Sequence, residues 1–359
     1  RHGKQVINQA WGSLDGKLPT QVDDLYDVAS LTKILATVPL LMQDHQTRGD
    51  GGLLTLTMED LLPHLLGTAV GELSVKDVLA HQSGLPAWIP FFQDGLDSNG
   101  EWKANYLQSE RSDSHPIQVA QHVYAGRHWP DSIQEQIASL TMLSQTYRYS
   151  DLGYYLFQRS LESKHGMGLD AIIASAWFEP MGVGMTYLPL DHGVDLMTIA
   201  PTEHDELFRK QVIRGTVHDP GAAIMGGVGG HAGLFAKASD VARMMQLYLD
   251  GGSYMGQSYV DEATLKAFTA CVACEDGNRR GLGFDRPQED GPGPTCGCVS
   301  PLSFGHTGFT GTFAWADPET GTVLVFLSNR VYPDADNWKI SHMDIRTRIQ
   351  EVVQQSVLN

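Results

Sequence analysis

Hydrophobic spacing changes character along the chain. Residues 4–12 and 15–28 carry apolar side chains around a turn at Asp15-Gly16 and predict two strands. From Ser30 the pattern becomes an apolar run that predicts a helix, with Pro39 inside it as a kink or break. Residues 52–62 predict a loop and a short helix. Residues 74–81 predict a capped helix that Gly84 and Pro86 stop. Residues 87–135 are polar and interrupted, and read as an insertion covering a cleft, with helical pieces near 116–126 and 132–140. Helical spacing returns at 152–165, 169–177, 239–250 and 258–269. Residues 303–315 and 321–330 are β-branched or aromatic around Asp317–Gly321, which predicts a hairpin. Residues 338–356 close the chain as a helix.

Strands therefore fall at both ends, with helices between. The expected fold is α/β (α+β): an antiparallel sheet from both termini, flanked by helices, with an inserted helical region. Two units are expected. Residues 1–50 and 236–359 would form the sheet domain. Residues 51–235 would form a mainly helical domain carrying the covering insertion, and the active site would lie between them.

Composition narrows the function. The 359 residues are 42% hydrophobic and 19% charged, a globular balance. With 42 acids against 25 bases the net charge is −17, which argues against nucleic acid or an anionic membrane as main partner. No apolar run approaches the ~20 residues that cross a bilayer. The first residues read as strand and not as a signal peptide, so the chain is expected to start inside a fold. Cys271, Cys274, Cys296 and Cys298 form C-x-x-C and C-x-C pairs. A zinc knuckle, one or two disulfides, or four thiols all fit that pattern.

The candidate chemistry starts at Ser30. Lys33 follows three residues later, so on a helix both side chains share a face. A helix start favours negative charge on the serine oxygen, and a neutral lysine nearby could take its proton. The apolar neighbours Val28, Ala29, Leu31, Ile34, Leu35 and Ala36 would lower the lysine pKa. Two later segments supply partners: Tyr149-Ser150-Asp151 before a helix, and Gly305-His306-Thr307-Gly308-Phe309 opening the hairpin. No H-E-x-x-H occurs around His218, His231 or the 203–206 run, and no Gly-Lys-Ser/Thr follows the glycines of 226–233. These and His81 are read as structural, with no cofactor and no metal expected.

Ser-x-x-Lys, the Tyr-based segment and His-Thr-Gly, in that order, resemble the serine β-lactamases and penicillin-binding proteins. The middle motif is similar to that of class C β-lactamases and D-alanyl-D-alanine carboxypeptidases. Leu79–Leu85 and Val217–Phe235 also resemble segments of this family, the second that of modules fused behind family-3 glycoside hydrolases.

The resemblance implies a serine acyl hydrolase acting on D-alanyl peptides, β-lactams or esters. The small-molecule or peptidoglycan-derived substrate would be met outside the cytoplasm. A binding module for the cell wall is the non-enzymatic alternative. Ser30, Lys33 and Tyr149 would be catalytic, and the backbone N–H groups of Ser30 and Phe309 would form an oxyanion hole. Asp151, His306, Thr307 and Gly308 would contact substrate. Asp151 stands where the family has asparagine, and would pair with Lys33 and hold it charged. His306 stands where many members have lysine. A charged His306 would hold a substrate carboxylate best below pH ~6.5.

Overall fold

The computed structural model describes residues 1–49, 51–141, 146–288 and 293–358. The N-terminal strands are not formed as expected. Residues 4–12 stay irregular, and Val6, Ile7 and Trp11 are 75%, 66% and 73% exposed. Their apolar side chains find no covered face, and such packing is what turns a β-prone sequence into a strand. Regular strand is confined to β1, Tyr26–Asp27, paired antiparallel with Phe235–Ala236.

Lys33–Thr37 winds as a π-helix and runs into α1, Val38–Thr47. Pro39 lies inside one helical run that is continuous from Leu31, so its missing N–H leaves a carbonyl of the preceding turn without a helical donor. The irregularity expected at the proline is the wide turn just before it. Tyr248 donates its hydroxyl to the Ile34 carbonyl of that turn at 2.5 Å.

The expected helix near 116–126 is a hairpin. β2 (Leu107–Gln108), β3 (Ile117–Ala120) and β4 (Val123–Ala125) form a sheet of order β2-β4-β3. Val119 and Val123 are buried β-branched residues on either side of His122, whose φ of 55° makes the turn. α2 (Trp129–Ala138) and α3 (Leu152–His165) follow, the latter stopped by Gly166 at φ 68°.

β5 is the Phe235–Ala236 partner of β1, and α4 spans Ala238–Leu249. The long strand expected at 303–315 divides in two, β6 (Phe304–Thr307) and β7 (Phe313–Asp317), around Gly311 at φ 97°. β8 (Thr322–Phe326) completes an antiparallel β6-β7-β8 sheet, with Gly305 opposite Trp315 and Phe313 opposite Phe326. α4 lies across β7 and β8. The N-terminus reaches this sheet through one bond, from His2 N–H to the Gly321 carbonyl. α5, Ile345–Leu358, closes the chain. One apolar core runs through the π-turn, α1, α3, α4 and the β6-β7-β8 sheet.

The cysteines pair as Cys271–Cys274 and Cys296–Cys298. Among the described residues no group of three His, Cys, Asp or Glu side chains is placed to hold a metal ion.

Candidate active site

The chain enters the site through a tight turn, Asp27-Val28-Ala29-Ser30. Ala29 has a φ of 49°, a conformation that costs a residue with a Cβ of order 1 kcal/mol. The buried Asp27 carboxylate holds it, accepting from Ala29 N–H at 2.8 Å and from His218 N–H at 2.7 Å. Thr310 donates its hydroxyl to the Asp27 carbonyl at 2.8 Å, and Thr312 to the Val28 carbonyl at 3.0 Å. The turn is thereby tied to the loop between β6 and β7. Gly308 makes the approach possible, since a Cβ there would lie 2.0 Å from Thr312 Oγ1 and 2.6 Å from the Val28 carbonyl.

Ser30 is half-buried and does not act as a helix cap. Its Oγ accepts from Lys33 Nζ at 2.9 Å and from the Tyr149 hydroxyl at 2.9 Å. Lys33 is fully buried, and Nζ also bonds the His231 carbonyl at 3.1 Å and pairs with Asp151 Oδ1 at 2.7 Å. Burial alone would lower its pKa, as its neighbours in sequence suggest, but Asp151 and Tyr149 outweigh burial and raise it. Lys33 is therefore an ammonium at neutral pH and no resting base. Burial also raises the Tyr149 pKa; Lys33 pulls it down, Asp151 up and Arg280 down, and the phenol remains above its ordinary value.

Tyr149 lies on an irregular segment templated by its surroundings. Arg148 N–H bonds the His81 carbonyl at 2.9 Å, Ser150 N–H bonds His81 Nδ1 at 3.1 Å, and Asp151 N–H bonds the Ala87 carbonyl at 3.0 Å. His81 is buried with its ring 4.5 Å from that of Tyr149, which gives it the structural part expected of it. The glycine-rich loop reaches the site through the His231 carbonyl. The His231 ring is fixed by Asp219 at 2.9 Å and by stacking on Tyr155 at 4.3 Å.

His306 differs from expectation. It is 2% exposed, and Nδ1 lies 2.7 Å from the Thr307 carbonyl, so that nitrogen carries the proton. Nε2 then presents a lone pair towards Arg280 Nη1, 3.4 Å away. Burial and the charges of Arg280 and Lys33 push the His306 pKa down to about 3. It is neutral at every pH where the protein would be assayed, and cannot hold a carboxylate by its own charge. Thr307 ends β6 half-buried. Phe309 follows with its ring 47% exposed, stacked on His218 at 5.6 Å. Among the described residues neither the Ser30 nor the Phe309 N–H donates to another protein group.

Arg280 was not singled out by the sequence. It is carried to the site because Asp285 pairs with Gly305 of β6 through two backbone bonds of 2.7 and 3.0 Å. The Arg279-Arg280 doublet in so acidic a chain was the available signal.

A serine oxygen with two convergent donors, a buried ion pair behind it and two free N–H groups beside it can carry an acyl group. Such an arrangement suits a serine acyl hydrolase. The sequence model of the family described as Beta-lactamase matches residues 1–343, and the chain belongs to that family. It is 35% identical to a Salmonella gallinarum protein named "Putative D-alanyl-D-alanine carboxypeptidase", over 94% of this chain and 78% of the relative. Among solved structures it resembles a D-amino acid amidase from Ochrobactrum anthropi, at TM-score 0.62 and 17% identity, covering 96% and 89% of the two chains. A class C β-lactamase from Rhodobacter sphaeroides superposes at TM-score 0.60 and 16% identity, covering 94% and 90%.

Proposed function

We propose that the protein hydrolyses D-alanyl peptides through an acyl-enzyme on Ser30, outside the cytoplasm. The observation that carries this reading is the pair of 2.9 Å bonds from Lys33 and Tyr149 to Ser30 Oγ. The 35% identity to the carboxypeptidase relative supports the substrate class. The two disulfides favour an oxidising compartment.

Tyr149, once its phenol has lost its proton, takes the proton of Ser30 as Oγ bonds the acyl carbon. The carbonyl π pair moves onto oxygen, and the N–H groups of Ser30 and Phe309 receive it. Collapse expels the leaving amine, which takes the proton now on Tyr149. Water then attacks the ester, its proton passing to Tyr149; the adduct collapses, the bond to Ser30 Oγ breaks, Oγ takes that proton back from Tyr149, and the acid departs. Lys33 stays charged throughout, held by Asp151, and stabilises the anionic oxygens of Ser30 and Tyr149 in turn. Thr307 and the close-lying Gly308 would seat the substrate backbone along β6.

Neutral His306 favours a second reading, a carboxylesterase, because a substrate without a carboxylate loses nothing there. A panel of a D-Ala-D-Ala peptide, p-nitrophenyl acetate and nitrocefin separates the two. Peptide turnover is the expected result; ester turnover without peptide turnover would select the esterase. Peptide mass spectrometry after a fluorophosphonate should place the adduct on Ser30. An adduct elsewhere would sink both readings.

A further inference from the structure

Charge bookkeeping around Ser30 leaves a remainder. Asp151 cancels Lys33 at 2.7 Å. His306 is neutral. Arg279 and Arg280 share one carboxylate, Asp285, at 2.8 and 3.2 Å. Among the described residues one positive charge is left over, on the side of the site facing β6. Arg280 is the nearer of the two to the chemistry: its guanidinium carbon is 4.9 Å from the centroid of the Tyr149 ring. It is 6% exposed, and Nε bonds the Tyr147 hydroxyl at 3.0 Å.

We propose that Arg280 is a positioning residue for the acylation step: clamped by Asp285 and Tyr147, its guanidinium adds to Lys33 a second positive charge that stabilises Tyr149 as a phenolate while Ser30 is deprotonated. This rests on the reading of Tyr149 as the proton acceptor. The need for it follows from burial, which favours the neutral phenol. The groups facing Tyr149 are Lys33 and Asp151 from the nucleophile side, His81 from the helix end before it, His306 from β6, the Tyr154 phenol from α3, and Arg280. Lys33 and Asp151 form one neutral pair, His81 and His306 are held neutral by burial, and Tyr154 is a buried phenol raised far above its ordinary range. Lys33, partly offset by Asp151, favours the anion from one side, and Arg280 favours it from the other. Burial disfavours its own charge, but Asp285, Tyr147 and Tyr149 keep it an ion.

The tyrosine segment and the arginine come from separate parts of the chain. Tyr147 and Tyr149 are two residues apart and both touch Arg280, one through oxygen and one through its ring face. Lysine at 280 would keep the charge but lose the fork that serves Tyr147 and Asp285 together.

The test is the pH dependence of kcat/KM for p-nitrophenyl acetate, a substrate with no carboxylate. In Arg280→Met the rising alkaline limb should move up by about one pH unit, with about a tenfold loss at pH 7 and little change in KM. Arg280→Lys should restore the limb most of the way. Asp285→Asn keeps the guanidinium and removes its counter-charge, so its limb should move down; it provides a reading even if Arg280→Met does not fold. Limbs unmoved in a folded Arg280→Met, or in Asp285→Asn, would overturn the proposal. Tyr149→Phe with near wild-type turnover would instead overturn the proton-acceptor reading on which it rests.

Discussion

At the residue scale, a fully buried ammonium lies 2.7 Å from a carboxylate. Asp151→Ala would leave Lys33 charged and unpaired. The expected cost is about 3 kcal/mol or more, read as a fall in Tm on thermal unfolding. Tyr149→Phe should lower kcat/KM by roughly 10²-fold at an unchanged Tm, since the ring still packs against His81. His306 carries a sharper consequence. Because burial and Arg280 keep it neutral down to about pH 3, a carboxylated peptide and a neutral ester should show parallel pH profiles from pH 5 to 8. A fall in affinity for the peptide alone, centred near pH ~6.5, would show a charged His306. Ser30, Lys33, Tyr149 and Asp151 were legible as a group because spacing and order announce them. The state of His306 was not, since it depends on Arg280, 26 positions away, and on burial that a linear pattern does not show.

Elements explain why Ser30, Lys33, Tyr149 and Asp151 meet. The long helices α2, α3, α4 and α5 were readable from 3.6-residue spacing, as was the turn at Asp317–Gly321. The misses have separate causes. Residues 4–12 have the composition of a strand but no face to cover, and residues 116–126 reverse at His122, where a positive φ breaks what looked like helix. The break at 308–312 was hidden inside an apolar run, yet it brings β6 beside the Asp27–Ser30 turn. Gly308→Ala tests that junction, because its Cβ would strike Thr312 Oγ1 and the Val28 carbonyl. The expected outcome is loss of most ester turnover and a lowered Tm; a variant with normal turnover would show that the contact is slack. Ala29→Gly should relieve the strained φ and raise stability by about 0.5–1 kcal/mol, measured by denaturant titration.

At the scale of the whole molecule, buried imidazoles couple stability to acidity. His81 and His306 are both held well below the ordinary histidine range by burial and by nearby cations. The folded state binds fewer protons than the unfolded chain wherever these two are neutral in one and charged in the other. Their contribution is whole above the unfolded pKa of ~6.5 and is lost as pH falls towards about 3. Tm should decline steadily over that window, and less steeply in His306→Asn. The tie between the Asp27–Ser30 turn and the β6–β7 loop has a consequence of another kind. Thr310 and Thr312 join positions 283 and 284 residues away in sequence. A chain with most of its helices formed still lacks this closure, and contacts so distant form late in folding. Hydrolysis should therefore report completion. In refolding from denaturant, ester turnover should return only with the slowest phase of recovery, after the helical circular dichroism signal, and a polypeptide released short of Thr312 should bind no acyl group at all.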